Sequence, residues 1–346
     1  MFVETLIEKA AVCKASDLHI AYSVPPKVRI DGELQDLEGF APLTDQDCET
    51  VAQELLGTPM PALGERDLSL EVAGRRVRVN LFRQSGHVSA ALRILADSIP
   101  DLDALGLPPA VQDFPGLQRG IVLVTGETGS GKSTTLAAIL RRINETRRDH
   151  IITLEDPIEY IHAPVQCLIN HREIGRDTES YAEGLRAILR EDPDVILIGE
   201  MRDLITIETA LTAAETGHLV FATLHTNSAA DSIDRMVDVF PAERQRQIRM
   251  QLSMTLQAVL SQQLLPRRGG GRVAACELMV VSPAIRNLIR EGKTPQIANA
   301  VATSADLGGI TMDNALVRLF KDKLITADTA RAAAHDPDYV KKNTLF

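Results

Sequence analysis

Residues 126–133, Gly-Glu-Thr-Gly-Ser-Gly-Lys-Ser, satisfy the spacing G-x-x-x-x-G-K-[ST] in full. Gly126, Gly129 and Gly131 let the backbone turn its N–H groups inward around phosphate oxygens, with Glu127, Thr128 and Ser130 completing the loop. Lys132 brings a positive charge to the β- and γ-phosphates, and the Ser133 hydroxyl can ligate magnesium. The helix that begins around Thr134 points its positive end at the same anion. An apolar run, 121–125, precedes the loop and a helical pattern follows it. That context separates a phosphate loop from a chance glycine-rich turn. The segment therefore binds ATP or GTP. A second stretch, DVILIGEMRD (194–203), is an apolar strand that ends in Gly199 and then Glu200. Many phosphoanhydride-splitting ATPases end such a strand in aspartate, so the carboxylate that activates water has to be found. Candidates are Glu200 itself and the cluster Glu155, Asp156 and Glu159. Glu155 and Asp156 would equally serve as turn caps before Pro157.

These groups need a scaffold, and the pattern around them supplies one. Short apolar strands at 121–125, 151–154, 194–198 and 219–222 alternate with amphipathic helices, the signature of a parallel sheet covered on both faces. Each strand runs straight into polar residues: the phosphate loop, Glu155-Asp156, Glu200, and Thr223-Leu-His225. Ligands bind beyond the carboxyl ends of strands in such a sheet. His225 lies on that edge, within reach of a γ-phosphate, and could report nucleotide state to the helices that follow. His218 precedes the strand and is the weaker candidate.

The first hundred residues predict a smaller α+β domain. Phe2, Leu6, Ile7 and Ala10 form a helical stripe, and Asp31-Gly32 suits a two-residue type I′ hairpin turn. From residue 68 onward Val77, Val79 and Leu81 alternate with Arg76, Arg78 and Asn80. A turn at Ser85-Gly86 pairs Gln84 with His87, which sets Arg78 directly opposite Arg93. Like charges so placed cost a few tenths to about 1 kcal/mol unless an anion sits between them. Residues 101–112, rich in Pro, Asp and Gly, predict an interdomain linker with one short helical turn.

Composition limits the classes available. The chain has 346 residues, 45% hydrophobic and 24% charged, which suits a soluble protein of two domains. Its net charge is −10, with no tryptophan and 3% aromatics, so a nucleic-acid partner is not expected. The four cysteines, at 13, 48, 167 and 276, lack CxxC spacing and predict reduced thiols. With no apolar run near ~18 residues and no basic-then-apolar N-terminus, a cytoplasmic location is expected unless a partner holds the chain at a membrane.

Beyond single motifs, the chain resembles the type II secretion and type IV pilus ATPase superfamily, and within it the twitching-motility, pilus-retraction members. ASDLHI (15–20) resembles the family's N-terminal signature, ITLEDPIEY (152–160) its Asp box, and LREDPDVILIGEMRD (189–203) its Walker B segment. TAAETGHLVFATLHTNSA (212–229) resembles the His box, and AIRNLIREGK (284–293) a motif tied to retraction. The resemblance implies a PAS-like α+β domain (1–100), a linker (101–112), a RecA-like P-loop ATPase core (113–280) and a C-terminal helical region (281–346). It also implies a magnesium-dependent, ATP-hydrolysing homo-hexamer that drives pilins into the inner membrane, working with an inner-membrane platform protein and the pilus machinery at the cytoplasmic face of that membrane. Extension and secretion relatives usually carry a longer N-terminal region and a tetracysteine zinc insertion, neither of which is present, so retraction is favoured. A Gly-Glu end to the Walker B strand is common in the family. Glu200 would then hold magnesium or polarise the attacking water, with Glu159 its rival as base. Arg78 and Arg93 would act as arginine fingers on a neighbour's γ-phosphate. Extension or secretion remains the family alternative, and a nucleic-acid translocase or a nucleotide-switched scaffold the alternatives from other classes. In AIRNLIREGK the apolar stripe of Ile285, Leu288 and Ile289 leaves Arg286, Asn287 and Arg290 expected outward, as a face that transmits movement.

Overall fold

Val3, Leu6, Ile7 and Ala10 are all buried on helix α1 (Phe2–Val12), so the helical stripe that opens the chain faces a core. A computed structural model describes residues 2–30, 32–95 and 98–345. It divides the chain into two units, Met1–Ser98 and Ile99–Phe346.

In the first unit α1 is followed by β1 (Asp17–Ile20), β2 (Lys27–Ile30), β3 (Glu33–Asp36), α2 (Asp45–Leu56), β4 (Arg66–Val72), β5 (Arg75–Gln84) and β6 (His87–Ile94). The strands form an antiparallel sheet of order β3-β2-β1-β6-β5-β4. Val77, Val79 and Leu81 of β5 join Leu6, Ile7, Val51 and Leu92 in one core. Asp31 of the expected type I′ turn lies outside the described residues; Ile30 pairs with Glu33 across it. The other turn is as expected. Ser85 and Gly86 both have positive φ, Gln84 pairs with His87, and Arg78 faces Arg93. Sequence patterning missed α2. Its signal was a capping box, with Thr44 accepting from the Asp47 N–H and the Asp47 side chain accepting from the Thr44 N–H, and Gly57 in the left-handed region closes the helix.

The second unit begins differently from expectation. Residues 101–112 were expected as a linker with one short helical turn. The segments Leu102–Leu105 and Pro109–Gly116 are two short 3-10 helices, and Leu102, Val111 and Phe114 are buried against the sheet. The physical reason is the apolar content between the prolines, which has surface to bury.

There follow β7 (Gly120–Thr125), α3 (Lys132–Thr146), β8 (His150–Glu155), β9 (Leu168–Glu173), α4 (Tyr181–Ile188), β10 (Val195–Ile198), α5 (Leu204–Glu215), β11 (Leu219–Leu224), α6 (Ala229–Asp238) and α7 (Ala242–Thr255). The sheet is completed by β12 (Leu256–Pro266) and β13 (Arg272–Val280). Its order is β13-β12-β7-β11-β10-β8-β9, parallel except for the β12–β13 hairpin. Every residue of β7, β10 and β11 is buried, as a sheet covered on both faces requires.

The C-terminal region is not one body. Helices α8 (Pro283–Glu291) and α9 (Ile297–Ala302) pack Ile285, Ile289, Ile297 and Val301 into the main core. Helices α10 (Met312–Lys321), α11 (Ala327–Ala332) and α12 (Pro337–Asn343) form a separate cluster around Leu316, Ile325 and Val340. Among the described residues no helix is long and apolar enough to cross a membrane.

Candidate nucleotide site

The carboxyl ends of β7, β8, β10 and β11 share one edge of the second sheet, and the parallel register places Ile198 of β10 beside Leu154 of β8 and Ala222 of β11. The phosphate loop leaves β7 on that edge. Gly126 has φ +137°, and a Cβ there would lie 2.3 Å from the Gln262 carbonyl oxygen of β12, so no other residue fits the loop's first position. The Ser130 N–H donates to the Glu127 carbonyl at 3.2 Å, closing the turn. Glu127, Thr128, Gly129 and Ser130 line an open cleft of about 610 Å³.

Gly131 stands at the N-cap of α3 in the left-handed region, with φ +94°, and makes no side-chain cap. The helix therefore starts at Lys132, two residues before the expected Thr134, because the positive φ at Gly131 turns the chain directly into it. Lys132, Ser133 and Thr134 thus occupy the first turn of α3, where backbone N–H groups have no intrahelical partner. Lys132 is buried, and its ammonium donates to the Gly126 and Glu127 carbonyls at 2.7 and 2.9 Å. The charge is held inside the loop. Burial pulls the Lys132 pKa down, while Glu200 and Glu159 both act on it in the opposite sense; the net direction is down. Both candidate carboxylates therefore bear on the same ammonium.

Gly199 has a steric cause. A Cβ at this position would stand 3.0 Å from the Tyr181 hydroxyl and 3.2 Å from the Leu154 carbonyl oxygen. A side chain there would require its neighbours to give by a few tenths of an ångström, and the acidic group stands one residue on. Glu200 is held there by charge. The Arg202 guanidinium donates from Nε at 2.6 Å and from Nη2 at 2.7 Å to its two carboxylate oxygens, and His225 Nε2 lies 3.3 Å away. Burial pushes the Glu200 pKa up, but the Arg202 hydrogen bond and the His225 and Arg202 charges outweigh it, and the net direction is down. An ionised carboxylate follows at neutral pH. Arg202 is a residue that sequence reading missed. Its signal was its place two residues after Glu200, at the mouth of a buried strand.

The segment after β8 is built in another way. Residues 156–167 contain no helix or strand, and their backbone is held by side chains from other elements. The Ile158 N–H donates to Glu173 at 3.2 Å and the Glu159 N–H to Glu155 at 3.4 Å. The Tyr160 hydroxyl meets Thr134 Oγ1 at 2.9 Å, which ties the segment to the first turn of the phosphate-loop helix. The His162 N–H donates to His171 Nε2 at 3.1 Å. Asn144, buried near the end of α3, accepts from the Val165 N–H at 2.9 Å and donates to the Ala163 carbonyl at 2.8 Å. Glu155 thus does cap a turn. It also lines, with Ser133, Tyr160, Gly199 and Thr223, a small cavity of about 30 Å³.

The other sequence candidates are distributed as follows. His218 caps α5, its Nδ1 lying 2.8 Å from the Ala213 carbonyl, and belongs to the opposite end of β11. In the first unit Arg93 donates from Nε to Asp17 at 3.0 Å. Asp17 pairs with Arg93 across β1 and β6, so the anion that the Arg78–Arg93 pairing calls for comes in part from the chain itself. Arg78 is exposed and has no hydrogen-bond or ion-pair partner among the described residues.

Helix α8 overturns an expectation. Arg286 does not point outward. Its guanidinium donates to the Ser253 and Met254 carbonyls at 2.7 and 3.1 Å and to Gln257 at 3.3 Å, across the C-terminal end of α7. Those last-turn carbonyls have no intrahelical donor, and a long guanidinium on the adjoining helix supplies one. Arg290 remains exposed.

Comparison with known proteins agrees with this architecture. The family described as type II/IV secretion system protein matches residues 1–269. The chain is 47% identical over 343 residues to the type IV pilus retractation ATPase PilT of Pseudomonas aeruginosa, covering 98% of this chain and 99% of that protein. It is 49% identical over 276 residues to a twitching motility protein of Neisseria gonorrhoeae, covering 79% of this chain and 74% of that one. A crystal structure of the pilus retraction motor PilT with bound ADP superimposes with a TM-score of 0.90 at 47% identity, over 98% of this chain and 99% of that one. With matching fold and near-complete coverage, the chain belongs to the type II/IV secretion system protein family and has its α/β architecture, a PAS-like α+β domain followed by a RecA-like ATPase domain.

Proposed function

We propose that this chain is an ATP-hydrolysing motor that retracts type IV pili, working as a homo-hexameric ring with magnesium as its cation. The observation that carries the reading is the shared edge on which Lys132, Glu200 and Glu159 interact, in a chain so closely similar to a pilus retraction ATPase. Residues 126–134 hold the phosphates through backbone N–H groups, the Lys132 charge and the N-terminus of α3. Ser133 and Glu200 are all-oxygen donors suited to magnesium, which favours one or two protein ligands completed by phosphate oxygens and water. When bound, magnesium neutralises charge developing on the phosphates.

Glu200, held ionised by Arg202 and His225, orients the attacking water. Glu159, in the segment that follows the neighbouring strand β8, acts on Lys132 through its charge and is the second carboxylate able to accept the attacking water's proton. His225, touching Glu200, reads the γ-phosphate and passes its presence to α6. Arg78 and Arg93 serve a neighbouring subunit's site, where they stabilise transition-state charge. The protein acts at the cytoplasmic face of the inner membrane, through a platform protein rather than a membrane span of its own.

Two experiments test this. Arg78→Ala and Glu200→Gln proteins should each be inactive alone and regain partial ATPase activity when mixed into one ring, since some interfaces then join an intact arginine to an intact pocket. Absence of recovery despite demonstrated subunit exchange contradicts catalysis in trans. In the source cell, removal of the protein should leave pili that extend and do not retract. Loss of the pili themselves would favour the extension reading.

A further inference from the structure

We propose that His171 is a positioning residue for ATP hydrolysis: from β9 it holds the backbone of the segment that carries Glu159. The inference rests on the reading of Glu159 as a participant in turnover. His171 stands two strands away from Glu200 in the sheet order and outside the phosphate loop. Its ring is engaged on both nitrogens. Nε2 accepts the His162 N–H at 3.1 Å, and Nδ1 lies 2.8 Å from Thr153 Oγ1 and 3.9 Å from Glu155 Oε1. An acceptor at Nε2 places the proton on Nδ1, which donates to Thr153. Only the neutral tautomer makes both bonds. The His162 ring stacks on His171 with centroids 5.7 Å apart and planes 14° apart, and its burial pushes its own pKa down to about 4. The stack is therefore a neutral pair wedged beneath an irregular segment.

His162 lies three residues beyond Glu159, and the intervening Tyr160 is tied to Thr134 of the phosphate-loop helix. Release of the His162 N–H leaves a buried donor unpaired, and the segment must shift to satisfy it. A shift of that kind is felt at a carboxylate whose reach to a reacting atom has to be correct within about 1 Å. Lys132 and the phosphate loop are held by the loop's own carbonyls, so the larger effect falls on turnover.

His171→Leu should lower kcat about 10-fold or more while KM for ATP stays within about 2-fold. His171→Gln, which places an amide oxygen where Nε2 was, should recover most of the rate. Thr153→Val, near isosteric and without the acceptor for Nδ1, should lower kcat several-fold and provides the test if His171→Leu does not fold. In a Glu159→Gln background His171→Leu should add less than about 2-fold to the existing loss. Parental turnover in both His171→Leu and Thr153→Val would overturn the proposal, as would a His171→Gln protein no better than His171→Leu, or an undiminished further loss in the Glu159→Gln background. A Glu159→Gln protein with parental turnover would instead remove the reading of Glu159 on which the proposal stands.

Discussion

Glu200 and Glu159 follow neighbouring strands of one sheet and act on the same lysine, but the chain secures them by different means. Glu200 sits two residues beyond a fully buried strand and is fixed by charge, from Arg202 at two residues' distance and from His225 on the next strand end. Glu159 lies within twelve residues of irregular backbone held by side chains from other elements, the carboxylates of Glu155 and Glu173 as well as the uncharged groups of Asn144, Thr134 and His171. The first arrangement sets a protonation state. The second sets a position. A charge-changing substitution should therefore disturb one carboxylate mainly through its pKa, and a neutral substitution should disturb the other mainly through geometry.

The largest effect belongs to what the two have in common. Lys132→Ala removes the buried ammonium that fills the loop and feels the charge of both carboxylates, so nucleotide binding and turnover should fall together, turnover by at least ~10²-fold. Equilibrium binding of a fluorescent ATP analogue beside an ATPase assay checks this. Binding at parental affinity would place the lysine outside the phosphate cradle.

A fold-level contrast comes next. Arg286 holds backbone carbonyls at the end of α7 as Asn144 holds the backbone of residues 163–167, whereas Arg290 is exposed. Arg286→Ala should cost about 1–3 kcal/mol of unfolding free energy, from carbonyls left without a donor, and Arg290→Ala less than about 0.5 kcal/mol. Denaturant titration of both proteins measures the difference. Equal, negligible losses would restore the outward-facing view of the helix.

The smallest effect is the one most specific to Glu200. Its folded pKa is lowered, so the carboxylate is ionised above that value and its contribution to turnover is lost as pH falls through it, below the ordinary value of 4.5. Arg202→Ala removes the larger of the two favourable contacts, so the acid limb of the kcat profile should move to higher pH. The shift is modest because the Arg202 side chain is 72% exposed. An unmoved acid limb would mean that Glu200 does not govern it.

How much of this was legible in the sequence follows from the same contrast. The phosphate loop, Glu200 and His225 were legible because contiguous residues at a strand end make them, although the loop's spacing does not reveal that Gly131 serves as the helix N-cap. The Arg78–Arg93 pairing was legible because a two-residue turn leaves one register, and the full-chain resemblance gave the two domain types. The supports of Glu159 were not. Asn144, His162 and His171 are uncharged polar residues up to twenty-seven positions apart, and no period or spacing links an irregular segment to the side chains that satisfy its backbone. Arg286 was misplaced for a related reason: a helical stripe shows which residues face the core, but not that the flank of α8 abuts the end of α7. The burial of Leu102, Val111 and Phe114 was not legible, because punctuation by Pro, Asp and Gly masked their apolar content.

The central claim is that this sheet edge hydrolyses ATP with Glu200 as the carboxylate that orients water. The direct measurement is nucleotide affinity and single-turnover hydrolysis for Glu200→Gln beside Glu159→Gln. The account predicts that Glu200→Gln binds ATP within a few-fold of the parent and hydrolyses it at least ~10²-fold more slowly. Near-parental hydrolysis by Glu200→Gln, with Glu159→Gln inactive, would contradict it.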